Sequence, residues 1–116
     1  MTEKPKRLKN VFVALGDTNL TSVYTCPNNV VGVIKEIIVC NVDGSASADI
    51  TLQITDTSAS ATFSLASTKA VAQDTFLRFE QANIVIEAGD IFKAQASAAN
   101  DLHVSLFVEE HFDPNR

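Results

Sequence analysis

The chain has 116 residues, 46% of them hydrophobic, which fits one domain with a single modest core and excludes a disordered segment. The net charge of −5 is unevenly spread: Lys4, Lys6, Arg7 and Lys9 against Glu3 make residues 1–10 +3, so the other 106 residues carry −8. An acidic body of this kind repels phosphate, which disfavours nucleic acid as a partner, and no apolar run reaches the ~20 residues of a membrane helix.

From the amino end, "MTEKPKRLKN" has the charge of a signal-peptide start, but the following "VFVAL" is too short for a hydrophobic region and Gly16-Asp17 ends it. Synthesis and retention in a cytoplasm is the expectation, with residues 1–10 a basic arm. Strand-like runs then follow one another: "VFVAL" (11–15), "SVYTC" (22–26), "VIKEIIVC" (33–40), "DITLQIT" (49–55), "ATFSLA" (61–66), "TFLRFE" (75–80), "NIVIE" (83–87), "IFKAQAS" (91–97) and "LHVSLFVEE" (102–110). Several have a period of 2, the repeat of a half-buried strand. Ile50, Leu52 and Ile54 share one face; Phe92, Ala94 and Ala96 share another. In the last run Leu102, Val104, Leu106 and Val108 point inward, with His103, Ser105, Phe107 and Glu109 outward. "VIKEIIVC" is apolar nearly throughout and reads as a central strand.

Turn signals separate the runs. Asp43-Gly44 is a hairpin-type signal, "CPNN" breaks the chain after the second run, and "EAGD" and "SAAND" punctuate the end. "STKAVAQD" (67–74) is too short for a helix and reads as a loop or a single turn. Nine short strands with regular spacing predict an all-β fold, a sandwich or a barrel, over residues 11–110, with 111–116 a tail.

The search for chemistry returns little. His103, Glu109 and His111 could in principle ligate a metal, but on one straight strand His103 lies ~20 Å or more from the other two, so surface histidines are expected. Cys26 and Cys40 form no CxxC and read as reduced, buried residues rather than a zinc site. Gly16-Asp17 and Gly89-Asp90 lack the Asp density of a calcium loop and read as turn chemistry. The serines have no activating histidine, Glu109 and Glu110 point to opposite faces, and no glycine-rich phosphate loop exists. No cofactor and no enzyme activity are expected. Ala, Ser and Thr make up 33 of the 116 residues and charge only 20%, so flat surfaces can approach closely; this favours an oligomer or an assembled state.

Three segments carry a resemblance. "TSVYTCPNNVVGVIKEIIVCN" (21–41), "SADITLQIT" and "NIVIEAGDIFKAQASAANDLHVSLFVEE" resemble the strand, turn and Gly-Asp corner pattern of small structural proteins of tailed bacteriophages with a jelly-roll-like sandwich. The resemblance spans roughly residues 11–110 and implies an antiparallel, jelly-roll-like β-sandwich of about eight to nine short strands. It implies a non-enzymatic virion component made in the host cytoplasm: first a capsid decoration or cement protein, second a neck, tail or fibre-associated piece. Implied partners are the major capsid protein or other virion subunits and further copies of the chain, a trimer among the options. The family has no catalytic residues to carry over. The basic arm (Lys4, Lys6, Arg7, Lys9) lies outside the pattern and is read as a clamp on a neighbour. A carbohydrate-binding module is the alternative from a different class, weakened by the absence of Trp; a cupin-like metal enzyme would need more histidines.

Overall fold

The structure is a computed structural model and describes residues 6–80 and 82–114. Among these residues it has nine strands: β1 (Lys6–Ala14), β2 (Thr21–Thr25), β3 (Val30–Asn41), β4 (Ala48–Asp56), β5 (Ala61–Val71), β6 (Phe76–Phe79), β7 (Ile84–Ile86), β8 (Ile91–Ala96) and β9 (Leu102–Phe112). They form two antiparallel sheets, ordered β1-β9-β3-β6 with β7 also on β3, and β2-β8-β4-β5.

The pairing is nested. β4 pairs with β5, β3 with β6 and β7, β2 with β8, and β1 with β9. This is one long antiparallel ribbon with its tip at residues 57–60. The ribbon is rolled so that β8 meets β4 and β9 meets β3. Such a roll is a jelly roll.

The nine sequence runs correspond to the nine strands, with shifted bounds. β1 begins at Lys6, so residues 6–10 of the expected arm are strand; β9 is long enough to pair with every residue from Lys6 to Ala14. His111 and Phe112, expected in the tail, extend β9 for the same reason. Lys4 lies outside the described residues. The segment from 67 to 71, expected to be loop, completes β5: Lys69, Ala70 and Val71 pair with Ile50, Asp49 and Ala48, and two bulges on β5, one of them at Thr68 (φ 47°), absorb its extra residues. Asp43-Gly44 makes a turn but no hairpin, because β3 and β4 lie in different sheets. Here Asp43 accepts bonds from the Ser45 amide and hydroxyl, while the buried Asn41 amide donates to the carbonyls of Ala46 and Val71.

The inward positions form one core. Ile34, Ile37 and Val39 on β3 and Leu102, Val104, Leu106 and Val108 on β9 face Ile50 and Leu52 on β4 and Phe92, Ala94 and Ala96 on β8. The small alanines let the second sheet approach closely around the large Phe92 ring. The apolar run of β3 hides a bulge at Lys35, which resets the alternation so that Val33 and Glu36 both face outward. Opposite that bulge the return strand breaks into β6 and β7. The Ala82 amide donates to the Lys35 carbonyl there, and Asn83 takes a positive φ of 48°.

Candidate functional site: the outward face of the β1-β9-β3 sheet

Register places the outward side chains in rows across the first sheet. One row is Ala14, His103, Cys40, Phe76; the next is Phe12, Ser105, Ile38, Arg78. Then come Asn10, Phe107 and Glu36, followed by Leu8, Glu109, Val33 and Val85, and last Lys6, His111 and Val31. Large apolar side chains therefore stand in water: Leu8 is 80% exposed, Phe12 67%, Phe76 60% and Val85 59%. The Phe12 and Phe107 rings meet edge to face at 6.3 Å.

The charges on this face are matched to one another. Glu109 holds Lys6 at 3.2 Å, His111 at 3.4 Å and Lys35 at 4.0 Å, and Arg78 donates to Glu36 at 2.9 Å. The bond from Lys6 holds the Glu109 carboxyl below the usual carboxylate range, against the opposing effect of burial. The other sheet is different in kind. Its outward positions are Asp49, Thr51, Gln53 and Thr55 on β4, with Lys93 and Gln95 beside them on β8 and Thr62 and Ser64 on β5. Asp17, Asp43, Asp74 and Asp101 lie in loops. On the strands of the second sheet Asp49 and Asp56 are offset by Lys69 and Lys93, so the net acidity of the chain belongs to the loops, and the first sheet's outer face is nearly neutral and apolar. Exposed apolar patches of this kind mark interaction surfaces, and here the charges that border the patch are already paired.

Of the basic segment, Lys6 sits on this face. Arg7 points the other way, to Glu110, which is only 2% exposed. The Arg7 Nε donates to Glu110 Oε1 at 2.6 Å, and the Tyr24 hydroxyl, from the second sheet, donates to Glu110 Oε2. Burial pushes the Glu110 carboxyl up, but these two donors outweigh it and its pKa is lowered. Burial also pushes the Tyr24 hydroxyl up. Lys9 shares the inward parity of Arg7, opposite Val108. A cavity of about 300 Å³ opens here between Lys6, Arg7, Val30, Glu110 and Phe112. Glu110 was legible only as an outlier, a carboxylate at an inward position after four apolar ones; nothing local pointed to Arg7.

His103 and His111 stand at opposite ends of β9. Among the described residues no group of three or more His, Cys, Asp or Glu side chains converges as a metal site would require. Cys26 is buried, its thiol within 3.3 Å of the Val30 carbonyl, and Cys40 is half-buried; neither is in a disulfide. Gly89-Asp90 is a turn: Gly89 takes a φ of 88°, and Asp90 accepts bonds from the Glu87 amide and from the Thr57 amide and hydroxyl.

No protein-family pattern and no curated protein matches the chain. Solved structures do. A chain in the capsid of Helicobacter pylori bacteriophage KHP30 aligns over 98% of this chain and 92% of its own length, with a TM-score of 0.58 and 9% identity. A chain of the disulfide-linked pili that form Bacillus endospore appendages aligns over 96% and 91%, with a TM-score of 0.57 and 10% identity. A chain of the cyanophage Pam1 capsid aligns over 95% and 86%, with a TM-score of 0.50 and 15% identity. At these identities the likeness is one of fold: an all-β jelly roll of this size, which also occurs in virus shells.

Proposed function

We propose that this protein is a non-enzymatic structural subunit of a virion, and that it is a decoration or cement protein on the head of a tailed bacteriophage. The observation that carries the reading is the outward face of the β1-β9-β3 sheet, apolar and charge-paired, on a chain whose other sheet turns Thr51, Gln53 and Thr55 outward and exposes large apolar residues only on its edge strand, at Phe63 and Leu65. The fold supports it: the KHP30 and Pam1 capsid chains are of about this chain's size, so a jelly roll this small can stand as a separate component of a phage shell. Its partners are then other virion subunits. The basic segment Lys4, Lys6, Arg7 and Lys9 is a second proposed contact. Lys6 and Arg7 are held to Glu109 and Glu110 of this same chain, so they offer a neighbour their stems and remaining donors.

The likeness to an endospore appendage chain favours a second reading within structural proteins, a neck, tail or fibre-associated piece. One experiment separates them. Particles purified from the producing host are analysed by mass spectrometry and cryo-electron microscopy. The expected result is the chain in the particles, with jelly-roll density on the head surface. Density on the neck or tail moves it to the second reading, and absence from every particle overturns both.

A further inference from the structure

We infer that the outward face of the β1-β9-β3 sheet docks on the same face of a second copy of this chain, about a two-fold axis running along the strands. The inference rests on the reading of the chain as a structural subunit and names a partner for that face.

Size comes first. An eleven-residue strand is about 36 Å long, and four strands side by side are about 19 Å wide. The face thus presents about 700 Å² in projection, close to the ~800 Å² that each partner contributes to a standard interface. Charge comes second. Two copies of a −5 chain repel, but the unbalanced acidic groups sit in the loops, and the charges on this face are paired within it. The same face of a second copy is therefore a surface it can meet without like-charge repulsion.

The rows then fix the arrangement. Sheets pack face to face with strands roughly aligned. A two-fold axis along the strands lays β1 of one copy over β6 and β7 of the other, so each row meets itself reversed. Ala14 then faces Phe76, a small residue against a large one. Leu8 faces Val85. Phe12 faces Arg78, an aromatic ring against a guanidinium. In the middle rows Ser105 faces Ile38, Phe107 faces Glu36, and Glu109 faces Val33. In none of these pairs does a charge meet a like charge, and the contact is isologous, as closed dimers are.

The test is sedimentation of the full chain up to ~200 µM, well above the micromolar dissociation constant of a modest interface. The wild type is expected to dimerise. Leu8→Lys and Val85→Asp alter exposed residues, so both variants are expected to keep the wild-type melting curve, and each alone should weaken the dimer by ~10-fold or more. An equimolar mixture of the two should regain a dimer. The introduced ammonium of one copy then faces the introduced carboxylate of the other, and the native Leu8–Val85 contact forms at the symmetry-related position. Gln53→Asp, on the other sheet, should change nothing. A monomeric wild type, a dimer indifferent to both variants, a mixture that stays monomeric, or a dimer broken by Gln53→Asp overturns the proposal. A chain that is monomeric alone yet present in particles removes this docking and leaves the virion reading; a dimer absent from every particle does the reverse.

Discussion

Gly32 of β3 lies directly across the ladder from Glu110 of β9, and the space left by its missing side chain admits the Tyr24 hydroxyl to that carboxylate. A Cβ on Gly32 would sit 2.9 Å from Ile86 Cγ2 and 3.4 Å from the Tyr24 hydroxyl oxygen. Three strands are thereby tied at one buried point: β1 through Arg7, β9 through Glu110 and β2 through Tyr24. A buried carboxylate is tolerated only when its lone pairs are used, and here both oxygens have a donor.

Gly32→Ala is therefore expected to destabilise the fold by about 1–3 kcal/mol, the cost of forcing an extra methyl into a filled core. Ile86 is fully buried and has little room to yield. The midpoint of urea unfolding should fall with an unchanged slope; an unchanged midpoint would mean that Ile86 and Tyr24 move aside freely.

Tyr24→Phe removes one donor and leaves the rest of the ring in place. A loss of about 1–3 kcal/mol is expected, because one oxygen of a buried carboxylate is left without its partner. Combining it with Glu110→Gln should cost less than the sum of the two single changes, measured as a double-mutant cycle in urea.

Stability should fall in acid. The Glu110 pKa is lowered in the fold, so its contribution is complete above about pH 4.5, the ordinary value, and is lost as pH falls through the depressed one. Asp43, Asp56 and Glu109, also lowered, act in the same direction. Asp101, raised by burial and by the nearby Asp43, acts in the opposite one. Urea midpoints taken at about pH 7, 5 and 3 should drop mainly below pH 4.5, and Glu110→Gln should flatten part of that drop.

The two cysteines should react differently. Burial pushes the Cys26 thiol up, and it lies buried just after β2; Cys40 is half-buried on the outward face. A thiol reagent on the native chain, diluted until it is monomeric, is expected to label Cys40 and spare Cys26, with both labelled after unfolding. Rapid labelling of Cys26 in the native state would show that this end of the sandwich opens.

Much of this architecture was legible because β9, β8 and β4 alternate cleanly, so Leu102 to Val108 could be assigned to a face before any partner strand was known. β3 resisted the same reading: its bulge at Lys35 changes parity in mid-strand, which no run of Val and Ile reveals. Residues 67–71 read as loop because the run is rich in Ala and too short for a helix, and pairing with β4 overrides that reading. The candidate face was half visible. Phe107 could be placed outward from its neighbours, but its companions Phe12 and Phe76 are far from it in the chain, and only the registers of β1, β9, β3 and β6 bring them onto one surface.

The ninth strand in chain order, β9, stands between β1 and β3. Until residues 102–112 are made, the first sheet has no centre, and β1 has no hydrogen-bonded neighbour to lie against. The growing chain must hold β1 unpaired, and one edge of β3 open, until then, so its birth is slow and exposed to mispairing. A product cut short before Leu102 would lack not a trimming of the sheet but its keystone, and would be expected to aggregate rather than to persist as a smaller sandwich.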